Sequence, residues 1–369
     1  MNTEKHIRLA ALDLDGTTLR SDKSLSEYTI ETLKNAHEHG MHIVVASGRS
    51  FASLPEQVIQ FPWAEYAITS NGAAVYEVHT GKRLRECRLK PEVVEKLLSI
   101  AEENHVMVEG FVDGVPYSAR AYVENPVLFG ASLYSVSYVK STRRPVEDIF
   151  AFLLEHKEEL DSLDIVVGDE RTKATLRRII SEQVEGIYLT SSVPTLLEIS
   201  DEKAGKATAL AFLADYLQIP QEATVAFGNA ENDIDMICWA GIGVAVENSP
   251  EEVRRAADEI TKTNDADGVA RWIEKKQLAD SFFIEALGNA LPSFLLPLVR
   301  NLVYKFIKFI TSLIIISFSS GFDSAIINVM ATNVPSLNRL ALFKNKTLFL
   351  SKNSKKRDAA ILLQPSAYG

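Results

Sequence analysis

The sequence has few cysteines: Cys87 and Cys238 are the only two among 369 residues, and they lie far apart. This excludes a disulfide framework and a thiolate zinc site, and it is typical of proteins from a reducing compartment. Residues 1–9 are polar and charged, without the apolar run of a secretory signal. We therefore expect a cytoplasmic protein.

Basic charge is also scarce. The formal net charge is −10 at pH 7, whereas nucleic-acid binding requires a concentrated basic surface, so we expect no nucleic-acid partner. A Walker-type phosphate loop is absent. The segment Gly241-Ile242-Gly243 lacks a third glycine and precedes a strand, which excludes a dinucleotide fingerprint. Otherwise the composition is ordinary, with a mean hydropathy of +0.01, and the length allows two modest domains.

Three short apolar runs near the start predict buried strands, each followed by a polar turn. They cover residues 7–12, 43–46 and 66–69. Between the first two, Ser24 with Glu27 three residues later predicts a helix N-cap, and Gly40 predicts the end of that helix. The alternation of strand and helix indicates an α/β protein with a Rossmann-like, doubly wound parallel sheet.

The pattern changes after about residue 83. Short β-like runs and polar helices then predict an inserted α+β domain, and the parallel pattern returns with a helix near 206–217 and strands at 224–227 and 243–246. The net charge changes from −16 over residues 1–277 to +6 over residues 278–369. We predict a core domain at 1–83 and 190–277, a cap domain at 84–189 and a C-terminal extension at 278–369.

Polar side chains follow the carboxyl ends of the predicted parallel strands, which meet at one edge of the sheet. They are Asp13 and Asp15, Ser47, Asn71, and Asn229, Asn232 and Asp233, with Lys206 at the start of the preceding helix. Carboxylate oxygens are suited to Mg²⁺, and Ser and Lys to phosphate oxygens. Asp13 is positioned to attack phosphorus, and Asp15 to serve as general acid and base. Gly16 allows backbone amides to approach a phosphate.

Four segments together resemble the motifs of the haloacid dehalogenase (HAD) superfamily. They are Asp13-Leu14-Asp15-Gly16-Thr17, Ser47-Gly48-Arg49, Leu197-Glu198-Ile199 with Lys206, and Gly228-Asn229-Ala230-Glu231-Asn232-Asp233. Asn71-Gly72-Ala73 and the large insert are similar to the Cof-type branch with its type IIB cap. The resemblance covers residues 5–275. It implies an HAD core, Mg²⁺, an aspartyl-phosphate on Asp13, and hydrolysis of sugar phosphates, nucleotides or phosphorylated cofactors.

The chain departs from this pattern at one position. Most relatives have an aspartate, usually a direct Mg²⁺ ligand, where this chain has Asn229. The resemblance leaves Asp13, the Asp15 carbonyl and Asp233 as further metal ligands. We expect weaker Mg²⁺ binding rather than none, because an amide oxygen coordinates without a negative charge.

Several of these residues have a structural alternative. Ser47 is also suited to capping a helix, and Asn232 and Asp233 are suited to a helix N-terminus. Lys203 is a neighbouring alternative to Lys206. Arg49 has two candidate roles, pairing with a carboxylate or contacting substrate, and Asp235 is expected to cap a helix or face solvent.

The C-terminal extension contains a basic amphipathic segment at 298–313. Such a helix can lie at a membrane interface, although the charge-free stretch at 309–320 is too short to span a bilayer. For the whole chain we predict a Mg²⁺-dependent phosphatase of small phosphorylated metabolites. The alternatives are a catalytically weak phosphate-ligand binding protein and a phosphotransferase of the same fold.

Overall fold

The structure, a computed structural model, describes residues 6–276. Its strands are β1 (Leu9–Leu12), β2 (His42–Ala46), β3 (Ala64–Thr69), β4 (Ala74–Glu77), β5 (Lys82–Glu86), β6 (Met107–Val112), β7 (Val115–Ala119), β8 (Arg144–Val146), β9 (Leu160–Val166), β10 (Ile187–Thr190), β11 (Leu196–Asp201), β12 (Thr224–Gly228), β13 (Ile242–Val246) and β14 (Glu259–Thr261). Its α-helices are α1 (Glu27–Glu38), α2 (Glu56–Ile59), α3 (Pro91–Glu103), α4 (Arg120–Glu124), α5 (Val136–Thr142), α6 (Ile149–Glu155), α7 (Glu170–Gln183), α8 (Lys206–Tyr216), α9 (Ile234–Trp239) and α10 (Glu251–Ala256). Residues 268–276 are also helical.

Eight strands form the larger sheet, in the order β14-β13-β12-β1-β2-β3-β4-β5. Neighbouring strands are parallel from β14 to β3, and β4 and β5 are added antiparallel at one edge. The chain passes from β1 to β2 and β3, then later places β12 on the other side of β1. Ligands bind parallel sheets where the strand order reverses in this way, so the carboxyl end of β1 is the expected site.

The centre of the larger sheet is buried on both faces. Along β1, Leu9 and Ala11 pack into one apolar cluster, whereas Ala10 and Leu12 pack into the cluster on the opposite face. Side chains alternate between the two faces of a strand, so a strand covered on both sides is apolar at every position. This explains why the short apolar runs in the sequence predict these strands.

Six strands form the smaller sheet, in the order β10-β11-β9-β6-β7-β8. All its pairs are antiparallel except β7 with β8. One face packs on α3, α6 and α7 through an apolar cluster that includes Leu97, Leu153 and Leu176. The opposite face is polar and meets the turn after β3, where the Ser200 hydroxyl donates to the Ser70 carbonyl oxygen at 3.4 Å. The predicted α/β core with an inserted α+β cap is confirmed.

The sheets place the domain boundaries differently from the predicted ones. Strand β5 continues the larger sheet to Glu86, beyond the predicted boundary at residue 83, and β11 pairs with β9 and β10 of the smaller sheet. The chain therefore returns to the core after Asp201, not at residue 190. The sequence predicts that residues 190–201 belong to the core and predicts no strand there; the sheet of β11 is decided by Leu197 and Ile199 packing into the apolar cluster of the cap.

The predicted N-cap of α1 is displaced by two residues. Ser26, not Ser24, caps the helix, since its hydroxyl accepts a hydrogen bond from the Thr29 backbone N–H at 3.0 Å. The Ser24 hydroxyl instead donates to Asp22 in the preceding turn. Ser26 also donates to Asp267, so a contact distant in sequence favours this position.

None of the helices within residues 6–276 is long and apolar enough to cross a membrane. The amphipathic segment at 298–313 and the extension at 278–369 lie outside the described residues.

Gly72 and Gly205 bring the turn after β3 against the start of α8. The Gly205 N–H donates to the Asn71 carbonyl oxygen at 2.8 Å. Gly72 has a φ of +92°, and a Cβ there would overlap the Gly205 carbonyl oxygen. This approach sets the position of both Asn71 and Lys206, which flank the two glycines in sequence.

We expect Gly72→Ala to lower the free energy of unfolding by about 3 kcal/mol or more, because it adds a backbone clash to a left-handed conformation. The matched control is Gly81→Ala, where φ is +67° but nothing lies within 4 Å of the new Cβ. The control should lose only about 1 kcal/mol, the cost of the conformation alone. Urea unfolding measures both, and equal losses would contradict the proposed role of the Gly72–Gly205 contact.

Candidate active site

The polar residues predicted for the site converge at the carboxyl edge of the larger sheet. Asp13 follows β1 and Ser47 follows β2 directly. Asn71 lies in the 3₁₀ turn after β3, and Asn229 follows β12. Lys206 is the first residue of α8. Five separate chain segments thus deliver one functional group each to the point where the strand order reverses.

A buried ammonium group joins the site. Lys206 Nζ lies 2.8 Å from Asp13 Oδ1 and 2.6 Å from Asp233 Oδ1. Lys206 and Asp233 are 0% exposed and Asp13 is 6% exposed. Two buried carboxylates against one ammonium leave an excess negative charge, which favours binding of a further cation.

The burial and charges shift the pKa values of this group. Burial raises the pKa of Asp13, and the charge of Asp233 adds to this, while Lys206 opposes both; the result is a pKa of about 7. Burial lowers the pKa of Lys206, but Asp13 and Asp233 outweigh it and raise that pKa well above its ordinary value. Lys206 is therefore charged at neutral pH, and Asp13 is sensitive to any cation placed beside it.

Asp15 is held by two cations. Its carboxylate accepts hydrogen bonds from Arg49 Nε at 2.7 Å and Arg49 Nη2 at 2.9 Å, and from Lys23 Nζ at 3.0 Å. Burial acts to raise the pKa of Asp15, but Arg49 and then Lys23 outweigh it and lower the pKa to about 2. Pairing with a carboxylate, one of the two candidate roles of Arg49, is thus observed, and Asp15 is ionised in this arrangement.

The side-chain amide of Asn229 lies among three oxygens. One terminal atom of this amide is 2.9 Å from Thr17 Oγ1, 2.9 Å from the Asp15 carbonyl oxygen and 3.2 Å from Asp13 Oδ2. With nitrogen at that position, the amide donates to all three. Gly16, with a φ of +79°, permits this approach, because a Cβ there would lie 2.8 Å from the other terminal atom of the Asn229 amide.

The same atoms fit a metal ion when the Asn229 oxygen faces them. The distances of 2.9 and 3.2 Å from that Asn229 atom to the Asp15 carbonyl oxygen and to Asp13 Oδ2 are close to those between neighbouring oxygens about a hard cation with bonds of about 2.0–2.1 Å. Within residues 6–276 there is no group of three His, Cys, Asp or Glu side chains suited to a metal.

Asp233 lies between Lys206 and the backbone of the loop after β12. Besides Lys206, its carboxylate accepts hydrogen bonds from the backbone N–H groups of Asn229 at 2.8 Å and Ala230 at 3.0 Å. It therefore fixes the loop that presents Asn229. Asp235, expected to cap a helix or face solvent, accepts from the Ala207 N–H at the start of α8 and from the Tyr188 hydroxyl of the cap.

A chain of amides connects the core to the cap. Asn232 Nδ2 donates to Asn71 Oδ1 at 2.9 Å, and Asn71 Nδ2 donates to Glu198 Oε1 at 3.2 Å. The Asn71 N–H donates to the Ser47 carbonyl oxygen, and a Cβ on Gly48 would lie 2.8 Å from Glu198 Oε1. All the predicted site residues thus lie in one connected region, and Glu198 joins them.

No pattern in the sequence predicts the cap residues at this site. Tyr138 of α5 lies under the Arg49 guanidinium, 4.1 Å from the ring centroid, and its other cationic neighbour is Arg143 at 4.6 Å. Arg177 of α7 pairs with Glu231 of the core at 2.8 Å. No local pattern marks Tyr138 and Arg177, because their partners Arg49 and Glu231 lie more than fifty residues away in the sequence.

We expect Lys206→Met to lower the free energy of unfolding by about 3–5 kcal/mol near neutral pH, because two buried carboxylates lose their partner. Lys203→Met is the matched control, because Lys203 lies three residues earlier and is exposed. Its replacement should lower the free energy of unfolding by about 0.5 kcal/mol or less. Guanidinium unfolding of both variants measures the difference, and a similar small loss in each would contradict the buried contact.

The stability lost in Lys206→Met should depend on pH. Without Lys206 the pKa of Asp13 rises further above the unfolded value of 3.8, so the folded protein keeps a proton that the unfolded chain releases. Stability then falls as the pH rises through this interval, and the variant should differ from wild type more at about pH 8 than at about pH 5.

Residues 10–273 match the family model of haloacid dehalogenase-like hydrolases. The chain belongs to the haloacid dehalogenase-like hydrolase family. The match covers both parts of the core and the cap between them.

Relatives and solved structures agree with the family. The 5-amino-6-(5-phospho-D-ribitylamino)uracil phosphatase YitU of Bacillus subtilis is 29% identical over 273 residues, which cover 72% of this chain and 96% of that protein. A haloacid dehalogenase-like hydrolase structure from B. subtilis is 28% identical, with a TM-score of 0.64, covering 73% of this chain and 99% of that one. A sugar phosphatase of HAD subclass IIB shares the fold at 20% identity, with a TM-score of 0.64 over 73% of this chain and 98% of its own.

These findings confirm the predicted Cof-type HAD membership and the type IIB cap. They also confirm the enzyme class, a phosphatase among the hydrolases. Phosphatases of this family generally use a divalent metal, and the donor set around Asp13 and Asn229 fits one.

Proposed function

We propose that the chain hydrolyses phosphate monoesters of small metabolites through a covalent phosphate on Asp13. Sugar phosphates, nucleotides and phosphorylated cofactors are the substrate classes. The observation that carries the proposal is the buried Lys206 contacting both Asp13 and Asp233 at the carboxyl end of β1. An ammonium held between two carboxylates neutralises charge in a water-poor site, which is the main requirement of phosphoryl transfer.

Asp13 is the nucleophile. One of its carboxylate oxygens attacks phosphorus, the bond from phosphorus to the leaving oxygen breaks, and Asp15 gives that oxygen a proton. Asp15 then takes a proton from water, whose oxygen attacks the phosphorus, and the bond to Asp13 breaks to release inorganic phosphate. Lys206 stabilises the negative charge that moves through these steps.

Asp15 must leave Arg49 and Lys23 to act as an acid. Its pKa of about 2 in the present contacts means that it carries no proton at neutral pH. Rotation of Asp15 away from these two cations, towards the leaving oxygen, would raise its pKa and allow it to hold the proton. Arg49 is thus a positioning residue for Asp15 rather than a ligand of substrate.

Mg²⁺ is the proposed metal, held by Asp13, the Asp15 carbonyl, Asn229 and Asp233, the last of which also orients Asn229 through its backbone N–H. When bound, the ion offsets the charge of the phosphate. We place the phosphate beside Ser47, Gly48 and Gly16. Asn71 and Asn232 are assigned to the same side of the site, where Asn232 Oδ1 has no hydrogen-bond partner among residues 6–276.

Two other functions remain alternatives to hydrolysis: binding of a phosphate ligand with weak catalysis, and transfer of phosphate to an alcohol. The presence of both Asp13 and Asp15 favours catalysis, because a binding protein needs no acid beside the nucleophile. A cytoplasmic location is proposed on the cysteine content, and a membrane surface role through residues 298–313 stays a prediction from the sequence.

We expect wild-type protein to release phosphate from p-nitrophenyl phosphate only with Mg²⁺, and Asp13→Asn to lower kcat by roughly a thousandfold or more, since an amide is not a nucleophile here. Asp215→Asn, an exposed change on α8, is the control and should match wild type. Folded wild type without turnover would favour the binding protein, and transfer to added alcohols would favour the phosphotransferase.

We expect Asn229→Asp to bind Mg²⁺ roughly tenfold more tightly than wild type, because a carboxylate replaces a neutral ligand. Without metal the same change should lower the melting temperature, since the new charge lies beside Asp13 and the amide donor is lost. Isothermal titration calorimetry and melting curves with Mg²⁺ or chelator measure the two effects. Asn35→Asp, exposed on α1, is the matched control, and an unchanged Mg²⁺ affinity in Asn229→Asp would contradict the assignment.

A further inference from the structure

Three acidic residues lie side by side across the polar face of the cap sheet. Asp164 of β9 is in register with Glu109 of β6 on one side and with Glu198 of β11 on the other. Their exposed fractions are 1% for Glu109 and 4% for each of the other two. Like charges directly opposite in a sheet destabilise it, so this carboxylate row requires a compensating cation or a bound proton.

The carboxylate row faces the active site rather than the core of the cap. The flanking residues Leu163 and Ile165 point into the apolar cluster under the helices, and side chains alternate along a strand. On the polar face Glu198 accepts the hydrogen bond from Asn71, and Gly48 lies against its carboxylate.

The other end of the carboxylate row also reaches the site. Glu109 forms a two-fold ion pair with Arg143, at 2.8 and 2.9 Å. Arg143 and Arg49 both stack on Tyr138, and Arg49 binds Asp15. The carboxylate row therefore runs between Asn71 and the Asp15–Arg49 pair, bordering the space where the leaving group of a substrate on Asp13 would lie.

The positive charge supplied by the protein does not balance the carboxylate row. Arg143 compensates Glu109, but Glu198 accepts only from neutral donors, Asn71 Nδ2 and the Ser192 N–H. The backbone of Asp164 is paired in the sheet, but its carboxylate forms no hydrogen bond or ion pair with any residue in the described range 6–276. The nearby Lys173 donates to Ser191 and Val193 instead.

We propose that Asp164 and Glu198 bind a positively charged ammonium group on the leaving group of the substrate. The inference rests on the proposed function and narrows its substrates to phosphate monoesters that carry a primary amine. An ammonium donates up to three hydrogen bonds and supplies the missing charge, whereas a hydroxyl supplies only the hydrogen bond. Burial, then Glu198 and Glu109, raise the pKa of Asp164 well above its ordinary value, and a bound cation would reverse this shift.

The test compares straight-chain aminoalkyl phosphates of increasing length with the hydroxyalkyl phosphates of the same length. Glucosamine 6-phosphate with glucose 6-phosphate forms a ring-based pair. For at least one pair we expect wild type to favour the amine by roughly tenfold or more in kcat/KM, the scale of a hydrogen bond to a charged group. Equal values within every pair, or a preference for the hydroxyl, would overturn the inference.

Two variants locate the preference. Asp164→Asn keeps the side-chain shape and should lower the amine-to-hydroxyl ratio by roughly tenfold. Glu182→Gln removes one negative charge from an exposed position on α7 and should keep the wild-type ratio. Circular dichroism and melting curves verify folding, and a ratio that is unchanged in Asp164→Asn would overturn the assignment.

Failure of the proposed function is separable from failure of this inference. Turnover of p-nitrophenyl phosphate without amine preference leaves the phosphatase standing and removes the ammonium site. If no ester is hydrolysed, calorimetric binding of the same pairs to wild type decides. If wild type binds the amines more tightly and Asp164→Asn removes this preference, the ammonium site is supported although the proposed function fails. If there is no preference in binding either, the ammonium site and the proposed function are both overturned.

Discussion

The active site depends on one buried ammonium group. Lys206 contacts Asp13 and Asp233, which lie 193 and 27 residues away in the sequence, and none of the three is stable in the interior without the others. Its position at the first residue of α8 is set by the approach of Gly205 to the turn containing Asn71. The start of α8 thus places the Lys206 ammonium beside Asp13 and also holds the turn after β3. Through Asn71 of that turn it is connected to the cap.

The contacts of Lys206 with Asp13 and Asp233 leave an excess of negative charge. Burial and the charge of Asp233 raise the pKa of Asp13 to about 7 although Lys206 opposes them, so a further cation beside Asp13 would favour its ionised form. Asn229 sits where such a cation would be bound. Its amide can present nitrogen to the oxygens of Asp13 and Asp15 in the metal-free protein and oxygen to a metal, whereas an aspartate would add repulsion in the first case and attraction in the second.

The core was predictable because its signals are local. Buried strands of a parallel sheet are apolar at every position, and the functional residues follow directly at their ends, so Asp13, Ser47 and the loop after β12 could be placed on one edge. The helix ends were less predictable: Ser26 replaces Ser24 as the cap of α1 because Asp267, distant in sequence, binds it. The sheet to which β11 belongs depends on packing of Leu197 and Ile199, which no sequence pattern around them records.

The cap residues were not predictable for a related reason. Tyr138 stacks on both Arg49 and Arg143, and Arg143 pairs with Glu109, whereas Asp164 is set beside Glu109 and Glu198 only by strand register; none of these contacts joins segments with a shared motif. Their charges nevertheless follow the logic of the core. The core site has a cation in Lys206 and the proposed metal, which suit a phosphate dianion, whereas the cap presents Asp164, whose carboxylate has no hydrogen-bond or ion-pair partner within residues 6–276. A molecule with phosphate at one end and an ammonium at the other would neutralise both sides of the cleft at once, while a dianionic leaving group would meet repulsion from Asp164 and Glu198.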